Sequence, residues 1–175
     1  MQALPEKHFD VLIIGTGPGG EGASMEATKQ GKRVGAVERM PQIGGACTHL
    51  GTIPSKSLRA AIYRLMEVNS APVFKQLGFN LQVSFRDLRR SAQSVIDQQV
   101  GMRRSFYDRN DVEVLQGQAK FLDPHRVQVT HADGSLTIAH ARHFVVATGS
   151  RPYRPPEIDF SHPRVFDSDT ILNLP

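Results

Sequence analysis

The sequence predicts an α/β fold organised on a parallel sheet, and three observations carry that prediction. Val11, Leu12, Ile13 and Ile14 form an uninterrupted apolar run that stops at Gly15, the pattern of a parallel strand buried on both faces. A second short strand-like stretch, Val34 to Glu38, follows a segment of small and helix-compatible residues from Pro18 to Gln30. Far downstream, Phe144 to Ala147 repeats the apolar pattern and ends in Thr148-Gly149.

The first strand is expected over Phe9 to Ile14 and the first helix over Pro18 to Gln30, with Gly31 as its stop. The strand Val34 to Glu38 completes a β-α-β unit of about 30 residues, the usual length for one. The turn between the first strand and the helix reads Gly15-Thr16-Gly17-Pro18-Gly19-Gly20, and Glu38 comes eighteen positions after Gly20. Each glycine has its own reason. Gly15 permits the tight turn, Gly17 lets backbone approach a pyrophosphate, and Gly20 lets the helix pack close to the strand. The helix N-terminus offers unpaired N–H groups and partial positive charge to phosphates. Glu38 is placed to accept hydrogen bonds from a ribose diol and would repel a 2′-phosphate, so NADP is not expected here. An ordinary tight turn with an exposed Glu38 would not explain all three glycines together.

Beyond the unit, a helix is expected over Pro54 to Val68, then a loop over Asn69 to Asn80 containing Pro72 and Gly78. Ser84-x-x-Asp87 resembles a capping box and opens a helix running to about Arg109. Leu88, Ala92, Val95, Ile96, Met102 and Phe106 form an imperfect apolar stripe on it, read as core packing. Val112 to Leu115 is a strand followed by Gly117 to Phe121, with a strand bulge expected at Gly117. Val127 to Val129 and Leu136 to Ile138 flank Asp133-Gly134, a turn signal, and predict a hairpin inserted before the last parallel strand.

Composition narrows the function classes. The chain has 175 residues, formal charge +4 and 39% apolar residues, enough for a core that removes about 70% of the unfolded surface from water. No apolar run approaches the ~20 residues of a membrane span, and Met1 to Asp10 lacks the apolar stretch of a signal peptide. The basic residues are dispersed. Arg86, Arg89, Arg90, Arg103 and Arg104 fall mainly on the polar side of one helix without aromatic stacking partners, a solvated face rather than a nucleic-acid surface. His140-x-x-His143 is the only close histidine pair and has no cysteine nearby, so no metal site is expected. A single cysteine suits a reducing, cytoplasmic setting.

The segment after Glu38-Arg39 is the more specific signature: Gly44-Gly45-Ala46-Cys47-Thr48-His49-Leu50-Gly51-Thr52-Ile53-Pro54-Ser55-Lys56. It resembles the redox motif of the two-dinucleotide-binding flavoproteins, the glutathione reductase and dihydrolipoamide dehydrogenase superfamily. Those enzymes carry a second cysteine where this chain has Thr52. The string from Cys47 to Lys56 is similar to the soluble pyridine nucleotide transhydrogenase branch, as are Gly17 to Ala23, Ala147 to Tyr153 and Phe166 to Asp169. Ala46 and Gly35, the latter inside the second strand, depart from the usual pattern.

The resemblance implies an FAD-binding Rossmann-type sheet with a long helical excursion and a small antiparallel β insertion. It implies FAD held by Gly15, Gly17, Pro18, Gly19, Gly20, Glu38 and Arg39, with Gly44, Gly45, Ala46, Cys47 and Lys56 beside the isoalloxazine. Backbone at Gly117 and Ala119 would meet the adenine, and Thr148 and Gly149 would bring the chain back against the nucleotide. Lys56 by itself reads as a solvated helix lysine; the resemblance places it near flavin N5, where an ammonium stabilises negative charge. Cys47, Thr52 and Lys56 are thus the candidate catalytic residues, with Cys47 read as a small buried residue packed on the cofactor rather than a reactive thiolate.

One thiol cannot form an internal disulfide, so it cannot take two electrons as a dithiol, and Thr52 has no accessible redox couple. The expected outlet is a second nicotinamide nucleotide. The resemblance implies FAD-dependent hydride transfer between NADPH and NAD+, with nicotinamide dinucleotides as partners, no nucleic acid, no membrane and homo-oligomers only at full length. The alternatives are a thiol-disulfide oxidoreductase of the dihydrolipoamide dehydrogenase type, or a non-catalytic FAD-binding fragment. Residues 1–150 are expected to be the N-terminal part of the FAD domain and 151–175 a connector towards an NAD(P)-binding domain, truncated before it, because no second G-x-G-x-x-G occurs.

Overall fold

A computed structural model of the chain describes residues 4–174. The described residues form two compact units, one from residues 4–46 and 100–150, the other from residues 47–99 and 151–174.

The first unit is built on a six-stranded sheet. Its strands are β1 (Glu6–Ile14), β2 (Val34–Glu38), β3 (Glu113–Gln116), β4 (Gln118–Asp123), β5 (Arg126–Thr130) and β6 (Leu136–Val146), in the order β3-β2-β1-β6-β5-β4. The pairs β1–β2, β2–β3 and β1–β6 are parallel, and β4–β5 and β5–β6 are antiparallel. The expected apolar runs account for the centre. Leu12 and Ile13 are fully buried, as are Ala36, Val127, Val129 and Ala139. The buried residues form two clusters. Phe9, Leu12, Ile14 and Val37 pack with Leu115, Val127, Val129 and Ala139 on one side, and Ile13, Val34 and Ala36 pack with Ile43, Tyr107 and Val112 on the other. Gly35 now has a reason: a Cβ there would lie 2.6 Å from the Phe9 ring.

Two strand expectations are corrected. Leu136 to Ile138 and Phe144 to Ala147 are not separate strands; the first and all but the last residue of the second lie in β6, eleven residues long. The first half of β6 pairs with β5 from Leu136 to His140, and most of its length pairs with β1, from Ile138 to Val146. The polar residues His140, Arg142 and His143 between the apolar stretches hid this continuity. The antiparallel β4–β5–β6 meander therefore extends the parallel sheet instead of interrupting it.

Helix α1 (Pro18–Lys29) matches its expected span within one residue. The second unit holds α3 (Thr52–Ser70) and α4 (Pro72–Gln76). A short helix α2 (Gly45–His49), unforeseen in the sequence, precedes them. Helix α3 begins before Pro54, which sits in the first turn, where its missing N–H costs no intrahelical bond. The expected loop over Asn69 to Asn80 contains α4, because Pro72 at the first helical position is pre-set for a helix.

Helix α5 (Phe85–Arg109) runs through both units. Ser84 Oγ accepts from Asp87 N–H at 3.2 Å, the expected cap. The apolar stripe is only partly right: Ala92 and Ile96 are buried, Met102 is 42% exposed, and Tyr107 is the fully buried member. The basic face also needs correction. Arg103 forms a 2.9 Å ion pair with Glu21 of α1, with both side chains largely covered, and Arg89 donates to the Leu174 carbonyl at 2.9 Å. Arg86, Arg90 and Arg104 are exposed, as expected.

Candidate dinucleotide site

The glycine loop lies at the C-terminal ends of β1, β2 and β6, the edge where ligands bind in open α/β sheets. Ala147 N–H donates to Ile14 O at 2.9 Å, which brings the end of β6 against the loop. Gly15 has φ +106°, and a Cβ there would lie 2.4 Å from the Ala147 carbonyl oxygen. Gly20 is tighter: its Cβ would lie 1.9 Å from the Gly15 carbonyl oxygen. Both demands come from the fold itself.

Gly17 is the N-cap of α1 and provides no side-chain cap, with Pro18 at the first helical position. A Cβ on Gly19 would meet nothing within 4 Å. Gly45, at φ +63°, approaches Gly17 so closely that a Cβ would lie 2.8 Å from its Cα. The two glycine-rich segments thus meet backbone to backbone. These features leave the first-turn amides of a twelve-residue helix open to a ligand, and fit a pyrophosphate.

Glu38 is 4% exposed. Its Oε2 accepts from Thr16 N–H at 3.0 Å and from Thr16 Oγ1–H at 2.5 Å, and its Oε1 accepts from Met40 N–H at 2.8 Å. Thr16 Oγ1 in turn accepts from Gly44 N–H at 3.1 Å. This relay joins the first loop, the end of β2 and the second glycine segment. A carboxylate offers about four acceptor positions, so one remains for a ribose hydroxyl beside the three donors of the chain. Glu38 is therefore a loop organiser as well as a candidate ribose acceptor.

Thr16 was not singled out in the sequence, because the motif leaves its position open. Its signal is the pairing of a hydroxyl inside the loop with an acid at the end of β2. Gln116 was also missed; its amide donates to the Glu38 carbonyl at 2.8 Å and to the Met40 carbonyl.

The remaining candidates are placed as follows. Arg39 is exposed directly after Glu38, Gly44 is buried, and Ala46 is half-buried. Gly117 is buried between β3 and β4, its N–H donating to the Glu38 carbonyl at 2.8 Å. A Cβ on it would lie 2.5 Å from the Thr130 carbonyl oxygen, so packing alone accounts for that glycine. Ala119 packs against the β1-side core. Thr148 and Gly149 are exposed; a Cβ on Gly149 would meet no protein atom within 4 Å, and its φ of +70° favours glycine. In the second unit, Cys47 is a half-buried free thiol in α2. Thr52 and Lys56 are both exposed on α3, four residues apart and so on one helix face.

A buried cluster lies behind α1. Tyr107 is 1% exposed, and burial, reinforced by the Glu21 carboxylate, pushes its phenol up to about 12. In the second unit Asp167 is held down to about 2 by hydrogen bonds from Thr170 and Arg154. Among the described residues no helix is long and apolar enough to cross a membrane.

The parallel sheet, the glycine turn on a helix N-terminus and the acid closing β2 define a nucleotide-binding α/β protein. The chain belongs to the pyridine nucleotide-disulphide oxidoreductase family, whose pattern it matches over residues 9–175. It is 54% identical over 166 residues to the soluble pyridine nucleotide transhydrogenase of Colwellia psychrerythraea, covering 95% of this chain and 36% of that protein. The proteins of the same name from Vibrio cholerae and Azotobacter vinelandii are 52% and 50% identical over 169 and 167 residues, which cover 97% and 95% of this chain and 36% of each relative. The chain thus spans about a third of the length of these relatives. The Cu(II) complex of the HOCl-induced flavoprotein disulfide reductase RclA from Escherichia coli has the same fold, with TM-score 0.78 at 24% identity over 96% of this chain and 35% of RclA.

Proposed function

We propose that this chain holds FAD on its glycine loop, and that the protein of which it forms part transfers hydride between NADPH and NAD+. The observation that carries this reading is Thr52. It occupies the motif position where disulfide reductases of the resembling superfamily place their second thiol, and Cys47 is the sole cysteine. The transhydrogenase relatives, 50–54% identical, support it.

FAD, when bound, supplies a two-electron carrier that the polypeptide lacks. The chain's own contribution is binding and orientation. The amides of Gly17, Gly19 and Gly20 receive the pyrophosphate, with Gly15 and Pro18 fixing the turn. Glu38 accepts a ribose hydroxyl, with Arg39 next to it. By the resemblance, Gly44, Gly45, Ala46 and Cys47 would border the ring, and the Lys56 ammonium would stabilise negative charge on it. Gly117 and Ala119 would border the adenine, and Thr148 and Gly149 would close the site at the end of β6. The cytoplasm, a reducing compartment, suits the lone thiol.

A visible spectrum of the purified chain after incubation with FAD and desalting tests the binding half. Retained flavin absorbance is expected, and it is lost in Gly20→Ala. The catalytic half is tested on the longer protein that contains this segment, by NADPH-dependent reduction of an NAD+ analogue measured against reduction of lipoamide. Preference for the nucleotide is expected. Efficient lipoamide reduction would instead favour the disulfide-reductase reading that the family's description supports. A longer protein that binds FAD but reduces neither acceptor would leave a non-catalytic binding module.

A further inference from the structure

The far end of β1 carries a second constellation. Glu6 and His8 lie two residues apart and share a strand face, while Phe9 belongs to the core on the other face. His8 is the register partner of His140 on β6, and Ala139 and Ala141, on either side of His140, also belong to that core. Pairing therefore delivers two imidazoles and a carboxylate to one place, from segments more than a hundred residues apart. Glu6 Oε2 is 3.5 Å from His140 Nε2 and 3.9 Å from His8 Nε2, and one ligand atom from each of the three residues lies within 4.8 Å of the others. The two rings stack at 4.6 Å between centroids. His140 Nε2 is shielded from solvent and makes no hydrogen bond, an unsatisfied polar atom pointed at the cluster. A cleft of about 530 Å³ opens beside it, lined by Asp10, Arg33, His125 and Arg142 together with His8 and His140.

We propose that Glu6, His8 and His140 form a binding site for a divalent transition-metal ion of the zinc class. Zinc bonds imidazole nitrogen and carboxylate oxygen at about 2.0–2.2 Å, so its tetrahedral ligands stand about 3.3–3.6 Å apart. Glu6 and His140 already hold that separation, and a side-chain rotation of His8, 66% exposed, closes the third side. The donor set excludes magnesium and calcium, which prefer all-oxygen ligands. Water from the cleft completes the coordination shell. The ion would bridge β1 and β6 at the opposite end of the sheet from the glycine loop, so the site is separate from the proposed cofactor site. Its histidines escape a search of the sequence because spacing motifs see only neighbours, and the register of two distant strands makes this pair.

The test is Zn2+ binding to the whole chain, measured by competition with a chromophoric chelator, with Co2+ as a spectroscopic substitute. One ion per chain is expected, with Co2+ giving ligand-field bands and no sulfur-to-metal charge transfer. His8→Ala and Glu6→Gln, both at exposed positions that leave the core untouched, are each expected to weaken Zn2+ about tenfold or more. Circular dichroism confirms that these variants remain folded. Unchanged affinity in both variants, a thiolate band in the Co2+ spectrum, or no binding by the parent chain would overturn the proposal.

Discussion

Thr16 and Glu38, twenty-two residues apart, are joined twice: the Thr16 amide and hydroxyl both donate to the same carboxylate oxygen, at 3.0 and 2.5 Å. The carboxylate that closes β2 thereby fixes the turn that follows β1, before any ligand arrives. Removing the hydroxyl leaves a buried charge with one donor fewer. Thr16→Val is expected to cost about 1–3 kcal/mol in chemical denaturation and to weaken FAD binding. In a double-mutant cycle with Glu38→Gln the two losses are not additive, because both report the same contact.

Gly20→Ala drives a methyl group to 1.9 Å from the Gly15 carbonyl oxygen. Backbone on both sides prevents relief by a side-chain rotation. A loss of about 3 kcal/mol or more is expected, measured by urea unfolding, whereas Gly19→Ala, with nothing within 4 Å, leaves stability within about 0.5 kcal/mol.

Gly35→Ala brings a Cβ to within 2.6 Å of the Phe9 ring. The single substitution is expected to cost about 1–3 kcal/mol. Phe9→Leu removes the obstructing ring atoms, so the double variant is expected to be more stable than the sum of the singles predicts. Strict additivity in thermal melts would show that β2 adjusts its backbone instead.

Tyr107 sets an alkaline limit. Its phenol, ordinarily near 10, is raised to about 12 in the folded chain. Below the ordinary value both folded and unfolded states keep the proton, and the group is neutral in the balance. Between the two values the unfolded chain releases a proton that the folded chain retains, so stability falls as pH rises, by about 1.4 kcal/mol per pH unit. Tyr107→Phe is expected to flatten that part of the denaturation profile above pH 10, and an unchanged slope would assign it to other groups.

Asp167 works in the opposite direction. Thr170 and Arg154 hold its carboxyl down at about 2, below the ordinary 3.8. The stabilisation is complete above the ordinary value and is lost as pH falls through the lowered one. Proteolysis of the segment from Arg154 to Thr170 is expected to accelerate over that acid window in the parent chain and to be fast at neutral pH in Asp167→Ala.

The sequence made the centre of this fold legible because its signals there are local. Val11 to Ile14, the glycine loop and Val34 to Glu38 are each short, contiguous and strongly patterned, and they fall where the strands and α1 lie. What escaped depended on partners distant in the chain. The single β6 was divided in two because His140 and Arg142 face differently from the apolar residues beside them, and only pairing with β1 shows the continuity. Arg103 looked like one more solvated arginine until Glu21 supplied its partner. Thr16 occupies a position that a glycine motif leaves blank, so its bond to Glu38 is visible only once β1 and β2 are side by side.

The shared strand β6 has one more effect. Its first residues follow the Asp133-Gly134 turn, and its last pairs with Ile14, next to the glycine loop. A one-residue slip in the hairpin would travel the whole strand, exchange its two faces and withdraw the Ala147 carbonyl from Gly15. Insertions in that remote turn are thus tolerable only when they leave the β5–β6 alignment in step, which turns a surface bend into a gauge of nucleotide-loop geometry.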